Sequence, residues 1–462
     1  MAWLRRERLE RWAWKARERT PCEVVGSIAI WRMSVRTDRQ LADTRPKSRA
    51  DRTSSPRVKV SAFGDAAFRW LWLATMSAQG ASAIAAVVVP ILAIQVLGVG
   101  PEGVTVMSTA AACMAVVTAF PAGMFSEFRR KRPILVGSDA VRFVSFALLA
   151  TAALLGLLSL PWLVSVLCVN AVMQMLFGSA SLAHTKDLVP EELRVDAVGK
   201  LQSASWVAMI AGPIVAGALV AIAPHAVLLA SVSLCFLGSA ICISFIRKPE
   251  SPAPQRDERK RPLREAFAGV AFFAGDRILR RLLISWVLFA GAVAALTPVT
   301  QVFFLRDLEF SSAEFGLAMG IPSIAALAGA WVGGPILRKI GTGRAIVIGS
   351  LVRVPLYLVY PVLPAGLPGL GGAILAFSGI LFASSIVNTA ISTLRMDMTP
   401  GSLLSRTSSA WMVATMVSGP LFIPLAGLIM TTTTSRGALL CIALTVAISV
   451  FVLPTKTLNQ HP

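Results

Sequence analysis

From residue 67 onward the chain is a succession of apolar stretches, most of them twenty residues or more, and this limits its fold more tightly than anything else in it. They run over 67–97, 103–125, 133–157, 161–186, 196–222, 226–246, 281–305, 312–337, 344–363, 369–395, 405–430 and 436–454. At 1.5 Å of rise per residue each reaches across ~30 Å of hydrocarbon. Inside a bilayer the backbone must satisfy its own hydrogen bonds, so such runs fold as helices, and internal Gly and Pro are tolerated. An all-α membrane protein with 12 transmembrane helices follows. Charged residues are only 15% of the chain and hydrophobic ones 55%. A soluble domain carries about 25% charge, so a soluble enzyme is excluded, and the apolar content excludes a disordered chain.

The formal net charge of +20 is concentrated in a few segments. Residues 1–60 hold 16 Lys/Arg against 7 Asp/Glu, and 247–281 hold 10 against 5. Between helices, Lys and Arg fall on one side: Arg129–Arg132, Lys186, Arg194, Lys200, Arg338, Lys339, Arg344, Arg395 and Arg406, against Arg306 and Arg436 on the other. The positive-inside rule then puts both termini in the cytoplasm of a cell-membrane protein. The expected domains are a basic tail over 1–66, a six-helix bundle over 67–246, a proline- and charge-rich linker over 247–280, a second bundle over 281–455 and a short tail over 456–462. The basic loops are expected to meet anionic lipid headgroups. The charge lies in tails and loops rather than on a folded basic face, so no nucleic acid partner is expected. Six Cys without a CxxC pair and three His give no metal site and no cofactor.

The two bundles repeat each other. Asp187-Leu188-Val189-Pro190 and Leu193 match Asp397-Met398-Thr399-Pro400 and Leu403 at an offset of 210. Gly123 matches Gly334, Arg142 matches Arg353 and Leu97 matches Leu308, all at 211. Gly137-Ser138 pairs with Gly349-Ser350, and Trp206 and Gly212-Pro213 pair with Trp411 and Gly419-Pro420. Six helices, a linker and six more with the same inside–outside sense make a parallel repeat about an axis along the membrane normal, an architecture that carries its substrate between the halves.

The segment Gly123-Met124-Phe125-Ser126-Glu127-Phe128-Arg129-Arg130-Lys131-Arg132 resembles the loop between helices 2 and 3 of major facilitator superfamily transporters, Gly-x-x-x-Asp-Arg/Lys-x-Gly-Arg/Lys-Arg/Lys. Gly123, Lys131 and Arg132 fit, Glu127 keeps the acid, and Phe128 and Arg130 depart from the pattern. Asp187-Leu188-Val189-Pro190 is similar to the branch containing enterobactin-exporter-like and macrolide-efflux-like proteins. The resemblance implies two pseudo-symmetric six-helix bundles and alternating access. Gly123 is expected to let two helices approach closely. Glu127, disfavoured at a helix C-terminus, is expected to join Arg129, Lys131, Arg132, Asp139 and Arg142 in a charge clasp that gates one conformation. Gly212, Pro213 and Gly217 partly resemble an antiporter helix-packing motif. The arginine that drug/proton antiporters carry three residues before a helix-4 Gln is absent, since Ala171 precedes Gln174.

Polar residues inside membrane spans are functional candidates. Gln79 in helix 1, Asn170 and Gln174 in helix 4, Gln301 in helix 7, and Ser384 and Asn388 in helix 10 are the set. The resemblance puts these helices around the central cavity. The acids Asp65, Glu127, Asp139, Asp187 and Asp397 are expected toward the cytoplasmic side, leaving a cavity of amides and hydroxyls suited to amphipathic molecules. The expected function is a secondary transporter exporting a drug-, macrolide- or siderophore-like small molecule against a coupling ion, a proton. The alternatives are uptake of a neutral nutrient, or a membrane scaffold acting through its basic tail. No Walker loop is present, so no ATP hydrolysis is expected. No catalytic residue is expected.

Overall fold

Helix starts in the computed structural model of the chain follow from local chemistry. The structure describes residues 62–250, 273, 275–400 and 403–455. The expected tails over 1–66 and 456–462 and the linker over 247–280 thus lie largely outside the described residues. Asp65 accepts the Ala67 N–H at 2.8 Å and starts α1, Ala66–Ile91. Asp276 does the same for α7, Arg277–Val302, accepting from Ile278 and Leu279. Between them lie α2 (Pro101–Glu127), α3 (Lys131–Leu154), α4 (Leu160–Leu188), α5 (Arg194–Val220) and α6 (His225–Ser244). After α7 come α8 in two pieces (Ser312–Gly320 and Pro322–Ile340), α9 (Thr342–Val359), α10 (Leu367–Met398), α11 (Leu404–Thr432) and α12 (Ser435–Val452). A Ser311–Glu314 capping box opens α8, which the sequence reads as one uninterrupted span. Among the described residues, twelve helices are long and apolar enough to cross a membrane.

The repeat holds in three dimensions. Ala66 and Arg277, Pro101 and Ser312, and Lys131 and Thr342 open equivalent helices, each pair 211 residues apart. Both α1 and α7 end in a wider, π-type turn, Leu92–Val96 and Phe303–Asp307. The Leu97 N–H then bonds Leu92 O at 3.0 Å, and the Leu308 N–H bonds Phe303 O at 2.9 Å. From α5 on the offset becomes 210: Arg194 and Leu404 open α5 and α11, and His225 and Ser435 open α6 and α12. This register sets Ser350 opposite Asp139, where the sequence reading pairs it with Ser138.

Neighbours repeat as well. α1 packs on α5 and α6, and α7 on α11 and α12; α3 packs on α4 and α6, and α9 on α10 and α12. Phe146 of α3 stacks on Phe236 of α6, ring centroids 5.6 Å apart. The outer surface is apolar: Leu154, Ile222, Trp331, Leu375 and Phe451 are all exposed. An exposed apolar coat of this extent belongs against lipid.

Two seams join the halves, α5 against α8 and α2 against α11. At the first, a Cβ on Gly217 would stand 2.5 Å from Ser312 O and 2.9 Å from Gly316 Cα. At the second, a Cβ on Gly427 would stand 2.2 Å from Thr105 Cγ2. Residues 217 and 427 are equivalent in the repeat, as are 105 and 316. Both contacts lie on the far face, the one reached by the end of α1. On the terminal face, where α1 begins and α12 ends, a Cβ on Gly123 would meet nothing within 4 Å. The close approach expected at Gly123 is therefore absent, because the halves meet on the opposite face.

Candidate functional site

The charged residues of the α2–α3 corner divide into two groups. Lys131 turns back, its Nζ donating to Glu127 O at 3.0 Å and Arg129 O at 2.7 Å, and so neutralises the carbonyl end of α2. The Arg132 guanidinium donates to Ser244 O. Arg129 lies over the Phe125 ring at 4.5 Å. Glu127 is exposed and forms no ion pair among the described residues, which corrects its expected place in the clasp. The acid that meets this corner is Glu250, whose carboxylate accepts the Lys131 N–H at 2.9 Å and the Arg132 N–H at 2.5 Å. Two free N–H groups at the start of a helix hold an anion well. His184, wholly buried at the end of α4, brings Nδ1 to 3.6 Å from the same carboxylate. Beside them Lys248 Nζ bridges Asp65 Oδ2 at 2.9 Å and Leu188 O at 2.6 Å. Burial alone would raise the Asp65 pKa; the Lys248 ammonium and the Ala67 N–H bring it below the ordinary carboxylate value instead.

Asp139 and Arg142 stand apart from this surface network. Eight residues beyond the start of α3, Asp139 lies ~12 Å into this 24-residue helix, in the half nearer the terminal face. Its Oδ1 is 3.4 Å from Arg142 Nη1, and both side chains are fully buried. Ser239 of α6 donates to Asp139 Oδ2 at 2.5 Å. Arg142 packs its guanidinium on Phe177 of α4 at 5.2 Å and Phe236 at 5.1 Å.

Near mid-helix a polar chain links α4, α1 and α5. Gln174 Nε2 donates to Gln79 Oε1 at 3.2 Å, and Gln79 Nε2 donates to Ser205 Oγ at 3.2 Å. Asn170, one turn from Gln174, keeps a buried Oδ1 with no partner among the described residues. In the second half Trp286 of α7 donates to Thr415 Oγ1 of α11 at 3.1 Å; Thr415 is the 210-residue counterpart of Ser205. The sequence reading missed Ser205, Thr415 and Trp286, although the serine and threonine are visible once the repeat offset is applied. Trp286, Phe289, Thr297, Thr415 and Ser418 line a cavity of about 360 Å³. Ser384 has a hydroxyl with no partner, and Asn388 is exposed on the same helix. Gln301 falls in the last turn of α7 toward the far face, at a different level from the Gln79–Gln174 pair. Phe303 and Phe304 are core residues, packed with Phe310 and Tyr360. A larger depression of about 540 Å³, with Glu102, Arg306 and Arg436 around it, opens on the far face away from the polar chain.

Among the described residues no cluster of His, Cys, Asp and Glu could hold a metal. Gly212 belongs to packing within the first half, since a Cβ there would stand 2.4 Å from Ala83 Cβ. Gly217 and the Pro213 carbonyl belong to the seam, for a Cβ on Gly316 would stand 2.4 Å from Pro213 O.

A duplicated helical bundle that meets itself on one face and carries a polar cluster inside each half is the framework of a multi-pass membrane transporter, not of an enzyme. The sequence comparison makes the class specific: the model of the Major Facilitator Superfamily matches residues 71–422, and the chain belongs to that family. It is 28% identical over 231 residues to the class C tetracycline resistance protein of Escherichia coli, a match over 49% of this chain and 56% of that protein. It is 27% identical over 278 residues to the class D protein of Salmonella ordonez, over 57% and 67% of the two chains. The chain thus spans little more than half the length of the first of these relatives. Among solved structures, a bacterial homologue of the human lysosomal transporter Spinster, inward-facing and unoccupied, has the same fold. Its TM-score is 0.68 at 14% identity, covering 85% of this chain and 98% of that one.

Proposed function

We propose that the chain exports amphipathic small molecules across the cell membrane, driven by an ion gradient, by rocking 67–246 against 281–455. The observation that carries this reading is the pair of equivalent seams, Gly217 on Gly316 and Gly427 on Thr105, which join the halves on one face while Gly123 on the other faces open space. A pocket gated at one face is half of an alternating-access cycle. With both termini in the cytoplasm, as the Lys/Arg distribution favours, this is the inward-open state that would receive an exported substrate. Two further likenesses favour efflux: the tetracycline resistance proteins among the relatives, and the resemblance of Asp187–Pro190 to the enterobactin- and macrolide-exporter branch. The Gln79, Gln174, Asn170 and Ser384 side chains would orient a substrate whose apolar body packs on Trp286 and Phe289. The uncharged polar chain also suits a neutral nutrient, which is the second reading; the direction of flux decides between them.

The test is accumulation of tetracycline, a macrolide, a cationic dye and a siderophore in an efflux-deficient host expressing the chain. Lower accumulation that is restored by an uncoupler is the expected outcome. Unchanged accumulation across the panel refutes export, higher accumulation indicates uptake, and efflux that survives the uncoupler removes the proton.

A further inference from the structure

Arg353 in α9 occupies the place in the second half that Arg142 occupies in the first, eleven residues into its helix. Each guanidinium lies against aromatic rings of neighbouring helices, Arg142 on Phe177 and Phe236, and Arg353 on Phe289 at 3.8 Å. In the first half the Asp139 carboxylate balances the charge. In the second half the equivalent residue is Ser350, which accepts a hydrogen bond from Arg353 Nη2 at 2.8 Å but carries no charge. Arg353 is 3% exposed, and its Nε and Nη1 have no partner among the described residues; one turn along, the buried Tyr357 hydroxyl has none there either.

Among the described residues, the helices around Arg353 offer no carboxylate within reach. α9 packs on α10 and α12 and more lightly on the second piece of α8, and α7 supplies Phe289. Neither α12 nor that piece of α8 contains Asp or Glu. Asp276 and Asp307 bracket α7 at thirteen and eighteen residues from Phe289, ~20 and ~27 Å along the axis. Asp397 lies ten residues, ~15 Å, beyond Val387, the α10 side chain that faces Gly349. An uncompensated guanidinium at membrane depth is costly. The unpartnered groups are two guanidinium nitrogens and a phenol that can donate. Together they suit an acceptor, and the charge calls for a single negative one. A water molecule would satisfy the donors and leave the charge. We propose that this chain binds a small monovalent anion, a halide or a carboxylate, between Arg353 and Tyr357, where it does for the second half what Asp139 does for the first.

The proposal is independent of the substrate and direction of transport. It is tested by the thermal midpoint of the purified full chain in sodium chloride, bromide or acetate, against gluconate at equal ionic strength, gluconate being too large for a buried site. The small anions are expected to raise the midpoint by about 3 °C, and Arg353→Gln is expected to erase the difference. Ser350→Asp, which restores the first-half arrangement, is expected to give in gluconate the midpoint that the unaltered chain shows in chloride, and to lose anion dependence; it also serves should Arg353→Gln fail to fold. A response to halides with bromide anomalous scattering beside Arg353 identifies a halide site; a response to acetate alone identifies a carboxylate site. Equal midpoints of the unaltered chain in all four salts overturn the proposal, as does anion dependence that persists in both Arg353→Gln and Ser350→Asp.

Discussion

Asp139 and Arg142 sit three residues apart on α3, their charged atoms 3.4 Å from each other and both side chains shut off from solvent. Such a pair is costly to break from one side, because the surviving charge stays buried. Asp139→Asn is expected to lower stability by about 3–5 kcal/mol. Ser239→Ala, which removes one hydrogen bond to the carboxylate, is expected to cost about 1.5–3 kcal/mol. Thermal midpoints in detergent check both, and a loss for Ser239→Ala equal to that for Asp139→Asn would show that the ion pair itself contributes little.

Gly217 has no room for a side chain against Gly316. Gly217→Val is expected to force the far-face seam apart and reduce transport at least tenfold, with Gly427→Val behaving alike at the equivalent contact. Transport assays together with labelling of a cysteine introduced on the far face give the check. Full activity in either variant means that the seam need not close as tightly as this structure has it.

Gln79 and Gln174 share one hydrogen bond at 3.2 Å. The single changes Gln79→Leu and Gln174→Leu are each expected to weaken substrate binding. The double variant should fall short of their sum by about 0.6 kcal/mol, the average coupling of such bonds inside membranes. Quenching of the intrinsic tryptophan fluorescence by substrate provides the affinity in each case. Strict additivity would mean that the two amides act separately.

Asp65 is held by Lys248 at 2.9 Å, and its pKa is lowered. A carboxylate with a depressed folded pKa adds stability above its unfolded value, and that contribution is lost as the pH falls through the folded one. The pair is partly exposed, so solvent screening limits its value to about 0.5 kcal/mol. Lys248→Met is expected to cost that amount more at neutral pH than in acid below the folded Asp65 pKa, where only the loss of the Leu188 O hydrogen bond remains. Unfolding curves at the two pH values give the comparison; an equal loss at both would point to packing of the lysine stem.

The helices and the repeat were legible because bilayer thickness imposes a run length and duplication leaves a fixed offset. The α2–α3 charge network was less so. Glu127 has the expected residue type at the expected spacing, yet Glu250, more than a hundred residues away, takes its role by folding back onto the α3 N-terminus. Linear spacing carries no trace of such a return. Asp139 is expected toward the cytoplasmic side and lies in the half of α3 nearer the terminal face, but its depth there depends on where α3 begins, and Arg130 being extended ahead of Lys131 fixes that start. The Gln79–Gln174–Ser205 chain was found in part: amides stand out in an apolar helix, but serine is too common there to attract notice.

The two equivalent seams are not identical, since one sets glycine on glycine and the other glycine on threonine. A door hung on unequal hinges does not swing about its midline. At Gly217 on Gly316 backbone meets backbone, while at Gly427 the Thr105 side chain stands between the helices, so the two joints need not part together when the halves separate.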